Sequence, residues 1–341
     1  MDISTLKTAG LFDLLAAEWN TLLQHGTADT PFLTHEWQSC WWDCLCEGEL
    51  RVMTVRDSGA LIGLAPLFHV SRPFKDGEPP RRLLRLIGGT ETSDYLDLIA
   101  ARGREREVFN AMLGALQQSD EWDVLDLYNV PEASSTRALL PELAARRGWK
   151  LTDEKQVVCP VIRLPSSFDA YLNSLDKKER HELRRKLRRA EGIEGLSWYA
   201  ITGEDREHDL DQAIDDFIEL MMNSRLDKSE FMTDSMRCFF HKVIQAAHSA
   251  GFLHLSFLEV DGVKAAAYLC FDYAGRRLVF NSGLDTTQFQ SLSAGNVLAA
   301  YLIEQSIQLG QREFDFLRGD EEYKHRLGGQ DTFVYHVAVE R

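Results

Sequence analysis

Residues 254–273 read HLSFLEVDGVKAAAYLCFDY. Two runs rich in β-branched and aromatic residues flank Asp261-Gly262, which predicts a strand, a tight turn and a returning strand. Working outward, RRLVFNSG at 276–283 reads as the next strand. Apolar residues at helical spacing predict a helix over 294–309, and REFDFLRG at 312–319 a further strand. Upstream, the same periodicity predicts helices over 209–224 and 233–249. Strands that follow one another through short turns, with helices before and after, imply a mixed α/β domain with a mainly antiparallel sheet.

The first half of the chain has the same order. A helix is predicted over 11–24, and a second one, capped by Thr34, carries Trp37, Trp41, Trp42 and Leu45. RVMTVRDSGALIGLAPLFHV at 51–70 breaks at Asp57-Ser58-Gly59 and reads as a hairpin. RRLLRLIGG at 81–89, a helix over 105–118 and the strand DVLDLYNV at 123–130 follow. Asp57-Ser58-Gly59 answers Asp261-Gly262, and Arg81-Arg82-Leu83 answers Arg276-Arg277-Leu278. Val124-Leu125-Asp126-Leu127 answers Phe314-Asp315-Phe316-Leu317. An internal duplication explains the repeated order. The expected division is 1–160 and 161–341, with a basic helix over 177–190 at the start of the second half.

Composition narrows the class. A chain of 341 residues is long enough for two cores. No apolar run approaches a membrane span, and the first residues lack the basic-then-apolar order of a secretory leader, so a cytoplasmic protein is expected. The six cysteines are expected as free thiols. Cys40, Cys44 and Cys46 have no matching pair at zinc-finger spacing, and no metal is expected. The net charge of −15 disfavours a general polyanion coat. Against it, KKERHELRRKLRR at 177–189 holds eight Lys or Arg and two Glu, a local anion site or a solvated helix. No Walker loop, HExxH or ordered Ser/His/Asp set supports an NTPase, a metalloprotease or a serine hydrolase.

The run Phe314-Asp315-Phe316-Leu317-Arg318-Gly319-Asp320-Glu321-Glu322-Tyr323-Lys324 resembles the C-terminal motif of the CelD-type branch of the GNAT acyltransferases. So do Pro31-Phe32 with Trp37 and Trp41-Trp42, Gly63-Leu64-Ala65-Pro66-Leu67, Gly88-Gly89 with Asp94-Tyr95, and Asn281-Ser282-Gly283. The branch is related to the Fem peptidyltransferases, whose Phe-Lys motif is similar in placement to Tyr323-Lys324. The resemblance implies two tandem GNAT-like domains, each a mainly antiparallel twisted sheet flanked by helices, the first a degenerate copy. It implies acyl transfer from acetyl-CoA or another acyl-CoA to an amine or hydroxyl of a small-molecule or saccharide acceptor, in envelope or exopolysaccharide modification. Aminoacyl-tRNA as donor, or a non-catalytic binding module, are the rival readings. The glycine-rich pyrophosphate loop usual in GNAT proteins survives only in part, as Gln290-Ser291-Leu292-Ser293-Ala294-Gly295-Asn296.

These readings nominate particular residues. Ser293, Gly295 and Asn296 open a helix whose N–H groups suit a donor phosphate; an ordinary Ser cap is the plain alternative. Asp320 and Glu321 follow a strand end, where either serves as general base. Tyr323 is the candidate acid for a departing thiolate, and Lys324 offsets charge on the intermediate or binds phosphate. Arg318 pairs with Asp320 or holds a phosphate. Asp94 and Tyr95 are candidates for the acceptor. Arg180, Arg184 and Arg188 recur at spacing four and form a cationic ridge, Arg184 and Arg188 being the candidates for phosphate contact.

Overall fold

The computed structural model describes residues 1–341, the side chain of Gln290 aside. The chain divides into two compact units: Met1–Val157 with Phe333–Arg341, and Val158–Thr332. The partition is therefore not a single cut, because the last nine residues count with the first unit. Fold class is as read from the sequence: mixed α/β, with twisted sheets flanked by helices.

The first unit holds β1 (Asp2–Leu6), α1 (Leu11–Gln24), α2 (His35–Leu45), β2 (Glu49–Leu50), β3 (Val52–Asp57), β4 (Ala60–Ala65), β5 (Leu67–Pro73), β6 (Pro80–Leu86), α3 (Gly89–Thr92), β7 (Ile99–Ala100), α4 (Glu105–Gln118), β8 (Val124–Pro131), α5 (Ser135–Ala145) and the first part of β9 (Lys150–Arg163). One sheet runs β1-β3-β4-β7, and β2, β5, β6 and β8 lie side by side in another. The Thr34 hydroxyl accepts from the Trp37 N–H, which is the cap read from the sequence. The indoles of α2 then fasten the glycine turn after β6. Trp37 donates to the Ser93 hydroxyl at 2.8 Å and Trp41 to that of Thr92 at 2.9 Å.

The second unit continues β9 from Val158 and adds α6 (Phe168–Ser174), α7 (Lys177–Glu191), β10 (Leu196–Thr202), α8 (Leu210–Ser224), α9 (Leu226–Phe231), α10 (Asp234–Ser249), β11 (Leu253–Val260), β12 (Val263–Tyr273), β13 (Arg276–Leu284), α11 (Ala294–Gln308), β14 (Glu313–Asp315) and α12 (Glu322–Arg326). Its strands lie in the order β10-β11-β12-β13-β14-β9. Helix α11 buries Val297, Leu298, Leu302 and Ile303 against this sheet. Each such side chain contributes about 1.5–3 kcal/mol. The last strand, β15 (Gln330–Glu340), pairs antiparallel with β8 over Val334–Glu340.

The two units share one feature of strand pairing. In the first unit β6 and β8 are parallel over three pairs, Leu83–Val124 to Arg85–Asp126. In the second, β13 and β14 are parallel over three pairs, Arg276–Glu313 to Leu278–Asp315. Cys40, Cys46, Cys159 and Cys270 take part in no disulfide, as expected. Cys44 and Cys238 are disulfide-bonded, which corrects the reading of six thiols; their spacing carries no sign of it. Among the described residues no group of three or more His, Cys, Asp or Glu could hold a metal ion, and no helix is long and apolar enough to cross a membrane.

Candidate active site

The site grows from a parting of two strands. β13 and β14 pair only as far as Leu278 and Asp315. Beyond that point β13 runs on to Leu284, held on its other side by β12 through Tyr268–Ser282, Ala267–Gly283 and Ala266–Leu284. The other chain turns away. Leu317 and Gly319 take positive φ, and the Phe316 and Gly319 N–H groups bond to the carbonyls of Pro160 and Val158 instead. The edge of β13 from Val279 onward therefore faces a widening gap. An unpaired strand edge offers alternating N–H and C=O groups to an extended, amide-bearing ligand.

Gly283 lets α8 lie on this strand. A Cβ there would sit 2.6 Å from the Met221 nitrogen and 2.7 Å from the Leu220 carbonyl carbon, both backbone atoms.

The loop 317–319 is built around Lys324. Its ammonium, almost fully buried, donates to the carbonyls of Arg318 at 2.7 Å, Gly319 at 3.3 Å and Leu317 at 3.5 Å. It also pairs with Glu321 Oε2 at 2.9 Å. Four acceptors surround three N–H groups, so the ammonium is fully engaged. The Glu321 side chain is 47% exposed and Oε1 has no partner among the described residues.

Tyr323 points inward from the same short helix. It meets Tyr268 of β12 hydroxyl to hydroxyl, and either oxygen can donate. Burial pushes the Tyr323 pKa upward, and the Glu321 charge adds to it, so Tyr323 stays protonated. Tyr268, wholly buried, is raised for the same first reason.

Lys228 enters from α9. Its ammonium donates to Asn281 Oδ1 at 2.9 Å and to the Ser282 carbonyl at 2.5 Å, on the free part of β13. It lies within electrostatic reach of Glu321 and Lys324, and burial, aided by the Arg225 charge, lowers its pKa to about 8.

The helix start is also present. Ser293 adopts φ +57° and precedes Ala294 without a side-chain cap bond, so the plain alternative of an ordinary Ser cap does not hold. The first N–H groups of α11 have no carbonyl partner within the helix. Gly295 packs on β13: a Cβ would lie 2.9 Å from Leu284 Cδ2. Asn296 returns its N–H to the Ser293 carbonyl at 2.9 Å. Helix α7 reaches this loop, where Arg189 donates to the Ser291 carbonyl.

The cationic ridge is narrower than the spacing suggested. Arg180 is spent on the carbonyls of Asn173 and Leu175, and Arg185 on Glu182. Arg184 has no acidic partner among the described residues, and Arg188 donates only to the Arg184 carbonyl.

Other candidates stand apart. Asp320 is 81% exposed and bonds His325 Nε2 at 2.9 Å. Arg318 enters this geometry through its carbonyl. Asp94 and Tyr95 are buried in the first unit, in the turn after α3 that Asn129 secures by donating to the Ser93 and Thr90 carbonyls. The structure thus gathers Glu321, Tyr323 and Lys324, and adds Tyr268, Asn281 and Lys228. Tyr268 reads as core in AAAYLCF, and Lys228 lies in a short polar stretch without periodicity. Lys324 is placed as the brace of a loop rather than as a cation facing substrate, because positive φ at Leu317 and Gly319 turns three carbonyls onto it.

Residues 177–325 match the family model described as "Acetyltransferase (GNAT) domain". This stretch, less than half of the chain, is similar to that family. Its parted strands and the helix that follows belong to the matched region. Over almost the whole chain the fold is similar to a solved structure of FemX (TM-score 0.68, 12% identity, 99% of this chain and 97% of that one). It is also similar to the C-terminal domain of a putative lysylphosphatidylglycerol synthetase from Agrobacterium fabrum (0.58, 11%, 97% and 92%). A third is a tandem GNAT protein from the clavulanic acid biosynthesis pathway (0.50, 14%, 99% and 98%). At these identities the likeness is one of fold. No curated protein sequence matches this chain.

Proposed function

We propose that the second unit transfers an acyl group, acetyl as the simplest case, from acyl-CoA to an amine or hydroxyl of a polar acceptor. The observation that carries this reading is the convergence of the free β13 edge with Tyr323, Glu321 and the start of α11. The amide-bearing arm of the donor lies along the β13 edge. Its phosphates meet the N–H groups of Ala294 and Gly295 and the dipole of α11, with Arg184 and Arg188 beyond. Glu321, through its free Oε1, takes the proton of the acceptor as the new C–N or C–O bond forms. As the C–S bond breaks, Tyr323 gives its proton to the sulfur. Tyr268, donating to Tyr323, steadies the phenolate left behind. Attack is direct and leaves no acyl group on the protein. The resemblance to the CelD-type branch makes saccharide acceptors the first class to test.

A thermal-shift titration with acetyl-CoA, longer acyl-CoAs, free CoA and deacylated tRNA tests the donor. A saturable rise in Tm with an acyl-CoA, lost in Gly295→Phe, is expected. Arg184 and Arg188, which have no acidic partner among the described residues, favour one rival, a donor with a longer polyanionic body such as aminoacyl-tRNA. A salt-dependent shift with tRNA alone would select it. Silence with every donor would leave a binding module.

A further inference from the structure

The lysine of the C-terminal motif, Lys324, is enclosed: its N–H groups face three carbonyls and a carboxylate, and its side chain is almost wholly buried. Lys228 differs on each count. It comes from a different element, the six-residue α9, and is half-buried. Its ammonium holds two acceptors, Asn281 Oδ1 and the Ser282 carbonyl, and an ammonium has three N–H groups. Both acceptors lie on the stretch of β13 that has lost β14. The third N–H has no acceptor among the described residues, and Glu321 and Lys324 lie within electrostatic reach of the ammonium.

We propose that Lys228, and not Lys324, is the lysine that meets the substrate, its third N–H donating to the oxygen of the carbonyl under attack. This rests on the acyl-transfer reading above. As the acceptor adds to the carbonyl carbon, the π pair moves onto that oxygen, and the Lys228 ammonium stabilises the developing charge without giving up its proton. When the C–S bond breaks the pair returns. Asn281 and Ser282 fix the direction of the ammonium, and Lys324 keeps the opposite wall in shape.

The test combines turnover and chemical reactivity in the full chain. With acetyl-CoA and a panel of amino sugars and amines, thiol release is followed from pH 6 to 10. Lys228→Met is expected to lower kcat by about 10²-fold with a few-fold change at most in KM for acetyl-CoA. Lys228→Arg recovers part of the loss. In the unsubstituted protein kcat falls as pH rises through about 8, where the ammonium is lost. In Lys228→Arg that fall moves to higher pH, a shift that a purely structural tether of α9 would not produce. An unchanged kcat in Lys228→Met, or an alkaline limb that stays put in Lys228→Arg, overturns the proposal.

If no acyl-CoA yields thiol, the acyl-transfer reading falls, and labelling decides on the lysines separately. Brief acetic anhydride treatment at pH 8, read by peptide mass, is expected to mark Lys228 well ahead of Lys324. Lys324 marked first, or Lys228 inert, overturns the assignment whatever the protein transfers.

Discussion

Replacing Lys324 with methionine keeps the length and apolar stem of the side chain and removes the ammonium. In the structure this strips the donor from the Leu317, Arg318 and Gly319 carbonyls and from Glu321 Oε2. The Arg318 bond, at 2.7 Å, is the strong one, worth about 1.5–3 kcal/mol as a bond to a charged group. The longer bonds add less, and the Glu321 pair is half exposed, so its share is about 0.5 kcal/mol or below. Against these stands the recovered cost of burying an ammonium. A net loss of about 2–3 kcal/mol follows. For a unit of this size that lowers Tm by roughly 4–12 °C. Differential scanning calorimetry and urea unfolding of Lys324→Met measure it. A loss under about 0.5 kcal/mol would refute the reasoning, for it would mean that the loop 317–319 keeps its shape without the lysine.

Tyr323→Phe removes the proton given to the departing sulfur and should lower kcat about 10²-fold with little change in acetyl-CoA affinity, read by thiol release and by titration. Gly283→Ala places a methyl against the backbone of Leu220 and Met221, so urea unfolding should report a loss of about 1–3 kcal/mol. Asp97 in the first unit is buried, bonds the Ser134 hydroxyl, and has its pKa raised by burial from 3.8 to about 6. A carboxyl raised on folding favours the folded state below pH 3.8, and that contribution is lost as pH climbs through about 6. Asp97→Asn should therefore gain on the unsubstituted protein by about 2 kcal/mol between pH 4 and 7, and a difference independent of pH would contradict this.

Much of the fold was legible because its elements are marked by short-range chemistry. Thr34 caps α2, Asp261-Gly262 closes the β11–β12 hairpin, and the apolar spacing of 294–309 gives α11 to within a residue. The candidate site was legible only in part. The motif pointed to Glu321, Tyr323 and Lys324, yet the placing of the Lys324 ammonium depends on positive φ at Leu317, a residue type that gives no warning of it. Lys228 was invisible, since nothing short of the folded chain brings a polar six-residue helix over β13. Tyr268 was hidden by its neighbours, because an apolar strand looks the same whether or not one hydroxyl in it has a partner. The return of residues 333–341 to the first unit is likewise a long-range fact.

That return has a consequence for biosynthesis. β15 pairs with β8 from Val334 to Glu340, so the first unit lacks a strand until everything from Val158 to Thr332 has left the ribosome. At about 5–20 residues per second the wait is on the order of ten seconds or more. During that time the nascent chain carries an incomplete sheet with an open edge at β8, the kind of surface that holdase chaperones protect. The half made first is finished last, and translation speed across the second half becomes a determinant of how much of the first is recovered folded.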